Sequence, residues 1–418
     1  MSRTSPERFD VIVSGASYAG LALARALVDA LGGEIRIGLV DRQAAPLRTA
    51  AAGRATDPRA FAVSAGSRRM LEVLGVWPAL ADRAQPVTRI EITDSALEAG
   101  VRPVLMTYDN DIGGGEAGSH IVPGVALLEA LAASLEPVAS VSVLDGVEAA
   151  SMRLVDGAAE VVLADGRALR AGLVVAAEGR RSRLRESAGI KVVGWTYGQT
   201  GIVTTLAHER PHHGVAVQHF LPAGPFAILP LTGNRSCITW SEETTEARRI
   251  LQLDDAGFLA EIDKRFGGRL GALTLVGERG SWPLEMHLAR SYVAPRLALV
   301  GDTAHGVHPI AGQGVNLALR DVAALVEVVV EATRVGLDIA DGSALQRYER
   351  WRRFDSATSA AAFDGLNRLF SNDWALVRAA RDFGLGVVDR LPVLKQLLVT
   401  EAAGLSGELP RLIRGERL

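Results

Sequence analysis

Residues 10–20 read Asp-Val-Ile-Val-Ser-Gly-Ala-Ser-Tyr-Ala-Gly, and this stretch decides the fold class of the chain. The β-branched run 10–14 predicts a buried strand, and the Ala- and Leu-rich run 21–31 predicts a helix directly after the turn. A second predicted strand, 36–40, ends in Asp41. Strand, tight turn, helix, strand and terminal acid is the order of a dinucleotide-binding βαβ unit. The sequence therefore predicts an α/β fold built on a Rossmann-like parallel sheet.

The turn at 15–20 is the expected binding site for a pyrophosphate. Amides and the dipole at a helix N-terminus attract an anion, and glycine lets the backbone approach it closely. Ser17 stands at the middle glycine of the usual G-x-G-x-x-G pattern, and its hydroxyl can itself donate to a phosphate oxygen. Asp41 can accept the hydroxyl protons of an adenosine ribose. The alternative is a doubly wound domain whose glycines serve only helix–sheet packing.

A second glycine-rich segment follows a predicted strand at 296–300. Residues 301–305 read Gly-Asp-Thr-Ala-His, and 309–317 read Pro-Ile-Ala-Gly-Gln-Gly-Val-Asn-Leu, before a predicted helix over 318–333. So many glycines beside an asparagine at a helix start indicate more than a packing turn and favour a site for a negatively charged group. A glycine-rich helix cap without a ligand is the alternative.

This order of strand, Gly-Asp, proline and Gly-Gln-Gly-x-Asn-Leu turn resembles that of the FAD-dependent aromatic hydroxylases, the class A flavoprotein monooxygenases. Segments 57–64 and 173–183 resemble the D-x-R and strand-plus-D-G motifs of the same enzymes. The resemblance covers nearly the whole chain and narrows to the ubiquinone-biosynthesis hydroxylases, to which segments 218–230, 348–352 and 364–371 are similar. It implies a Rossmann-like FAD-binding domain with an inserted antiparallel-sheet substrate domain and C-terminal helices.

The resemblance also implies roles for individual residues. Asp302 would hold a ribityl hydroxyl of FAD, Arg59 would lie along FAD, and the amides at 314–316 would face the pyrimidine edge of the flavin. The implied cofactor-binding residues are Gly15, Ala16, Ser17, Tyr18, Ala19, Gly20, Asp41, Arg42, Arg59, Val147, Glu178, Gly179, Gly301, Asp302, Pro309, Gly312, Gly314, Val315 and Asn316.

His305, His308 and Pro309 lie beside the flavin motif and are the candidate catalytic residues. Either histidine can order water or a phenol, whereas a lone histidine is more often a structural group. The resemblance implies that NADH or NADPH reduces FAD, that O2 adds, and that a C4a-hydroperoxide passes one oxygen atom to an electron-rich phenol. The implied substrate is a polyprenylated phenol of ubiquinone biosynthesis, and enzymes of that pathway's complex are the expected partners.

Several departures from the family pattern bear on turnover. Ser17 replaces a glycine, and Glu178 replaces the usual aspartate. Residues 123–124 are Pro-Gly where Glu-Asn is usual, and Leu128 replaces an arginine. A non-catalytic flavoprotein subunit is therefore an alternative, as are hydroxylation of another aromatic substrate and reduction of a prenyl chain. The arginine cluster at 180–185 can steer a phosphorylated donor or form a solvated loop end.

Composition narrows the class of protein further. The 418 residues carry a formal net charge of −3, so no nucleic-acid partner is expected. The single cysteine, Cys237, indicates a reducing compartment. No run of 18 apolar residues occurs and residues 1–9 are polar, so a cytoplasmic location is expected. No metal site is expected, because His212 and His213 have no further ligands nearby in the sequence.

The C-terminal third contains the helix-like stretch 387–399 and the basic residues Arg411, Arg414 and Arg417. These elements can contact the inner face of the cytoplasmic membrane, dock a partner enzyme or pack against the FAD domain, which is the commoner fate.

Motif placement predicts a discontinuous FAD-binding domain. The predicted regions are the FAD-binding domain at 1–88, 118–185 and 286–340, the substrate domain with a mixed or antiparallel sheet at 89–117 and 186–285, and a helical region at 341–418.

Overall fold

The computed structural model describes residues 6–43, 57–97, 103–371, 391, 396 and 399–418. The strands are β1 (Glu7–Ser14), β2 (Ile37–Asp41), β3 (Ala60–Ser64), β4 (Gln85–Pro86), β5 (Arg89–Asp94), β6 (Val104–Asp109), β7 (Ser119–Pro123), β8 (Val141–Asp145), β9 (Ala149–Val155), β10 (Ala158–Leu163), β11 (Ala168–Ala176), β12 (Val192–His208), β13 (Val215–Leu221), β14 (Gly224–Leu231), β15 (Arg235–Glu243), β16 (Leu273–Leu275), β17 (Gly280–Ala289), β18 (Val293–Ala294), β19 (Leu297–Leu299) and β20 (His305–Gly306). The helices are α1 (Tyr18–Leu31), α2 (Ala65–Val73), α3 (Gly124–Ala133), α4 (Arg183–Ser187), α5 (Thr244–Leu251), α6 (Asp255–Phe266), α7 (Gly314–Arg334), α8 (Gly342–Phe370) and α9 (Arg411–Arg414).

The N-terminal βαβ unit forms the centre of the first sheet, which contains eight strands in the described part of the chain. Its path runs β18-β19-β11-β1-β2-β8, and the five strands from β19 to β8 are parallel to their neighbours. Residues 11–13 of β1 are fully buried, as a strand covered on both faces requires. Strands β9 and β10 continue from β11 as an antiparallel meander. The predicted Rossmann-like sheet is confirmed.

The second sheet contains nine strands of the described chain, in the order β20-β17-β12-β15-β14-β13-β5-β6 with β16 beside β12. Its neighbouring strands are antiparallel except β13 and β5, which run parallel. Ile202, Ile238 and Trp240 point to one face, where they pack with the apolar side chains of α5 and α6. The predicted antiparallel sheet is confirmed, and the parallel pairing of β13 with β5 makes it mixed.

Helix α7 is the central support of the molecule. It is buried along nearly its whole length. It packs against α1, α2, α8 and α9. It begins at Gly314, earlier than the predicted start at residue 318, because the glycine-rich turn already has helical geometry. A three-stranded sheet, β3-β7-β4, contacts α7 through β3.

The C-terminal residues pack on the nucleotide-binding side of the molecule. Helix α9 contacts α2 and α7, with Leu412 and Ile413 buried and the amide of Arg411 donating to Glu327 Oε2 at 2.7 Å. The stretch 387–399 lies for the most part outside the described residues. No helix in the described ranges is long and apolar enough to cross a membrane. The residue limits of the three predicted regions stay a prediction.

Candidate active site

The turn between β1 and α1 brings backbone close to backbone. Gly15 has a φ of +106°, and a Cβ there would lie 2.3 Å from the Ala177 carbonyl oxygen. A Cβ on Gly20 would lie 1.8 Å from the Gly15 oxygen. Ser17 is exposed at the N-cap and its hydroxyl makes no capping hydrogen bond. The first-turn amides of α1 and this hydroxyl are therefore available to an anion.

The acid at the end of β2 is fixed by backbone amides. Asp41 Oδ2 accepts from the Ala16 amide at 2.6 Å and Oδ1 accepts from the Gln43 amide at 2.8 Å. The Val147 amide donates to the Asp41 carbonyl at 3.0 Å, which places the buried Val147 beside it, while Arg42 is exposed. The structure thus brings together the pyrophosphate turn and the acid that the sequence predicts for the ribose.

The second turn, Gly301–Thr303, is anchored through its backbone. The Gly301 amide donates to Asp321 at 2.9 Å, and His287 Nε2 donates to the Asp302 carbonyl at 2.8 Å. The Asp302 side chain is 50% exposed, with its carboxylate 3.6 Å from Arg180 Nε. Because its backbone is fixed and its carboxylate is half exposed, Asp302 is suited to accept a hydrogen bond from a ligand hydroxyl.

Glu178 is turned into the protein. Its Oε1 accepts from Ser14 Oγ at 2.7 Å, and its Oε2 accepts from the Ser182 hydroxyl and the Leu184 amide. Burial raises the pKa of Glu178. Compared with the usual aspartate, the added methylene lets this carboxylate join β1 to the start of α4. Gly179, the next residue, donates its amide to the Thr303 hydroxyl at 3.0 Å and so meets the second turn.

The arginines at 180–185 do not form one exposed patch. Arg185 is buried and donates to the Thr303 carbonyl at 3.0 Å and to the Arg180 carbonyl at 2.7 Å. Arg183 pairs with Glu148 at 2.8 Å. Arg181 is exposed. Neither interpretation of this cluster holds for Arg185, because its buried guanidinium supports the Gly301–Thr303 turn.

The start of α7 faces open space. A Cβ on Gly314 would meet no atom within 4 Å, whereas one on Gly312, with φ +63°, would touch Ala62 at 3.4 Å. The Asn316 side chain accepts from the Ser64 amide at 3.0 Å and donates to the Ala62 carbonyl at 2.8 Å. The Asn316 side chain therefore joins β3 to α7 and is not available to a ligand. Asn316 and Val315 can instead bind a ligand through their backbone amides.

Arg59 lies where the two large sheets meet. Its guanidinium pairs with Asp57 at 2.6 Å and lies 5.2 Å from the Phe61 ring and 5.9 Å from the Trp282 ring. Burial alone would raise the pKa of Asp57, but the hydrogen bonds from Arg59 lower it. Tyr18 donates its hydroxyl to Asp57 at 2.5 Å. This cluster fixes Arg59 at the edge of the nucleotide-binding unit.

The Pro-Gly departure at 123–124 fits around the same cluster. A Cβ on Gly124 would lie 2.9 Å from the Tyr18 hydroxyl and 3.2 Å from Asp57 Cγ. Tyr18 already fills the space beside residue 124. Glycine fits at position 124 because a larger side chain there would clash with the Tyr18 hydroxyl.

The two candidate histidines have different surroundings. His305 Nε2 donates to Asp321 at 2.5 Å, and both side chains are fully buried. His308 is 1% exposed, and neither of its ring nitrogens has a hydrogen-bond partner among the described residues. Its ring meets that of Tyr197 edge to face at 5.1 Å. Burial lowers the pKa of His308 to about 4, so its ring is neutral at neutral pH.

Pro309 directly follows His308 and caps the Ile310–Gly312 turn that leads to α7. The structure thus brings Pro309 and Gly312 to the open start of α7, beside a histidine that has no protein partner. An unpartnered buried polar group is uncommon and indicates a ligand or water.

The second sheet has a face that does not pack against α5 and α6. Gln218, Ala227, Thr239 and Val203 are successive cross-strand neighbours, and they point away from α5 and α6. The first three are partly exposed. An open cavity of about 320 Å³ borders Tyr197, but its lining, which includes Pro222, Glu243 and Thr244, contains no residue of this sheet face or of the two glycine-rich turns.

These features fit FAD. The uncapped start of α1 suits the pyrophosphate, Asp41 suits the ribose, and the half-exposed Asp302 suits a ribityl hydroxyl. The first-turn amides of α7, at residues 314–316 beside the open space at Gly314, suit the anionic edge of a reduced flavin. Ala19 lies between the two turns, with its Cβ 3.7 Å from the place of a Cβ on Gly301.

Comparison with known proteins agrees with this geometry. The FAD-binding domain family matches residues 8–361. Ubiquinone hydroxylase UbiL of Rhodospirillum rubrum is 42% identical over 409 residues, 97% of this chain and 92% of that protein. The 3-demethoxyubiquinol 3-hydroxylase of Escherichia coli is 35% identical over 350 residues, 84% of this chain and 88% of that protein. The structure of p-nitrophenol 4-monooxygenase PnpA from Pseudomonas putida DLL-E4 matches with a TM-score of 0.78 at 17% identity, over 96% of this chain and 100% of that chain.

The fold and the site define an FAD-dependent aromatic hydroxylase. The match to PnpA supports the fold alone, since its sequence identity is low. The near full-length similarity to two ubiquinone hydroxylases is more specific, and it shows that the chain belongs to the ubiquinone-biosynthesis hydroxylase family.

The sequence analysis did not identify Asp321, Arg352, His287 or Thr303. Asp321 carried a usable signal, because an acid within a long apolar helix needs a buried partner. Arg352, His287 and Thr303 carry no such signal in the sequence. Their roles become visible only in the folded structure, from their positions in or near the second turn.

Proposed function

We propose that this chain hydroxylates the aromatic ring of a polyprenylated phenol in ubiquinone biosynthesis, with NADH or NADPH as reductant and O2 as co-substrate. The overall reaction consumes one reduced nicotinamide, one proton and one O2, places one oxygen atom in the ring and releases the other as water. When bound, FAD supplies the electron transfer and the activation of O2. The observation that carries the proposal is the 42% identity to a ubiquinone hydroxylase over 97% of the chain.

The protein's part is to bind and orient. The starts of α1 and α7 would hold the pyrophosphate and the pyrimidine edge, and Asp302 would hold the ribityl chain between them. The sheet face around Ala227 and Thr239 would cover the ring of the phenol and exclude water.

We propose that His308 binds the hydroxyl group of the phenol. A neutral imidazole can accept a hydrogen bond from the phenol hydroxyl at one nitrogen, which orients the phenol and raises electron density in the ring that is to be oxidised. No other group in the described chain is known to satisfy this side chain. His305 is instead engaged by Asp321, and we assign it a supporting role.

Turnover of purified holoenzyme tests the proposal. A prenylated phenol should stimulate NAD(P)H oxidation and yield the hydroxylated product, while a soluble acid such as 4-hydroxybenzoate should not. Stimulation by the soluble acid alone would favour a different aromatic substrate. Absence of stimulation by either compound in yellow, FAD-loaded protein would favour the non-catalytic subunit.

His308→Gln and His308→Leu separate the role of the histidine. Loss of the hydrogen-bond acceptor in His308→Leu should lower kcat by about tenfold, with His308→Gln partly active. His213→Asn is the matched control, because His213 is exposed and its φ of +52° suits asparagine. Unchanged kcat in His308→Leu would remove His308 from the mechanism.

Contact with the membrane is a separate part of the proposal. The substrate class resides in lipid, and α8 exposes Phe354, Leu366 and Leu369. Co-sedimentation with phospholipid vesicles should fall in Phe354→Ser if this face meets the bilayer, and equal binding of both proteins would refute it.

A further inference from the structure

A fully buried acid lies behind the FAD-binding turn. Asp321, in the middle of α7, accepts from the Gly301 amide at 2.9 Å and from His305 Nε2 at 2.5 Å, both through Oδ2. Its other oxygen, Oδ1, accepts from Arg352 Nε at 2.8 Å. One carboxylate therefore holds the turn that presents Asp302 and, through His305, the strand that follows it.

The cation for this acid comes from a different part of the chain. Arg352 is on α8 and is 1% exposed. Its second hydrogen bond, from Nη1, reaches Asp355 at 2.5 Å. Arg320 also donates to Asp355, at 3.0 Å, and to the Ser406 carbonyl at 3.2 Å. The network thus runs from the C-terminal residues through α8 to the second turn.

Arg352 is one of the two groups that keep Asp321 ionised. Burial would raise the pKa of Asp321, and His305 and Arg352 together lower it instead. A buried carboxylate that loses a cationic partner is destabilised, and it responds by protonating or reorienting. Either response weakens the bond to the Gly301 amide.

We propose that Arg352 is a positioning residue for the FAD-binding turn, acting through Asp321 on Gly301 and His305. Arg352 does not touch the cofactor. It fixes the carboxylate that holds the turn, so helix α8 controls how tightly FAD is held. This inference rests on FAD binding alone and does not depend on which phenol is hydroxylated.

The test is the FAD dissociation constant of the holoenzyme, measured by flavin fluorescence on dilution, together with the visible flavin spectrum at saturating FAD. Arg352→Met should raise the dissociation constant at least tenfold and shift the flavin band. Arg352→Lys keeps the charge without the planar fork, so it should recover part of the affinity. Arg347→Met is the control, because Arg347 lies on the same helix in an exposed pair with Glu331.

The double variant Asp321→Asn/Arg352→Met distinguishes positioning from mere packing. It leaves no unpaired charge, and the asparagine oxygen can still accept from the Gly301 amide. Its FAD affinity should therefore exceed that of Arg352→Met. Wild-type affinity in Arg352→Met would overturn the proposal, as would a double variant that binds FAD more weakly than Arg352→Met. If Arg352→Met does not fold, Arg352→Lys decides, because a wild-type FAD dissociation constant in that variant would overturn the proposal as well.

Discussion

His308→Leu is expected to make the protein less sensitive to acid. Burial lowers the pKa of His308 from 6.5 to about 4. As the pH falls below 6.5, His308 becomes protonated in the unfolded chain but stays neutral in the folded protein. The free energy of unfolding therefore decreases. Between pH 7 and pH 5 this one side chain should cost about 2 kcal/mol of the free energy of unfolding. Leucine removes this cost and keeps an apolar side chain against the Tyr197 ring, which His308 contacts.

Urea unfolding at pH 7 and pH 5, at saturating FAD, measures this effect. The stability lost between the two pH values should be about 2 kcal/mol smaller in His308→Leu than in the wild type. Comparing differences between pH values cancels any change in packing that leucine introduces. His213 is an exposed loop histidine, so His213→Asn should lose as much stability between pH 7 and pH 5 as the wild type. An equal loss in His308→Leu and the wild type would show that His308 titrates normally and has a partner in solution.

Three further changes test the rest of the site. Gly20→Ala places a Cβ against the Gly15 carbonyl and should yield folded protein without flavin, or none at all, as judged by visible absorbance of the purified protein. Glu178→Asp restores the usual family residue but shortens the reach to Ser14 and Ser182, so urea unfolding should show a loss of about 1–3 kcal/mol; no loss would mean that water replaces these bonds. Tyr18→Phe removes one hydrogen bond to Asp57 and should cost about 1 kcal/mol in the same assay, whereas a larger loss would mean that Arg59 also moves.

Local patterns in the sequence predict the nucleotide-binding unit well. The run 10–14, the turn after it and Asp41 lie within one βαβ unit, so their geometry depends on neighbours close in sequence. The glycine-rich turn was also correctly placed at a helix start, although the helix begins at Gly314 rather than 318. The roles predicted for individual cofactor-binding residues stay predictions, because they follow from the resemblance.

Contacts between distant segments could not be predicted in this way. Glu178 binds Ser14 across 164 positions, and Asn316 binds the Ser64 amide across 252. Arg352 reaches Asp321 only because α7 and α8 pack together. The parallel pairing of β5 with β13 is likewise set by the path of the chain between them and not by the composition of either strand. These partnerships depend on the assembled fold.

Strand β20 is the edge of the substrate-side sheet, yet it belongs to the segment that leaves the FAD-binding turn. His305 and Gly306 pair with Leu288 and His287 of β17, and a Cβ on Gly306 would lie 2.4 Å from the His287 ring. Backbone hydrogen bonds and close packing therefore join the two large sheets at this point. A displacement of the second sheet at β17 would move β20 and, with it, the Gly301–Thr303 turn that precedes β20.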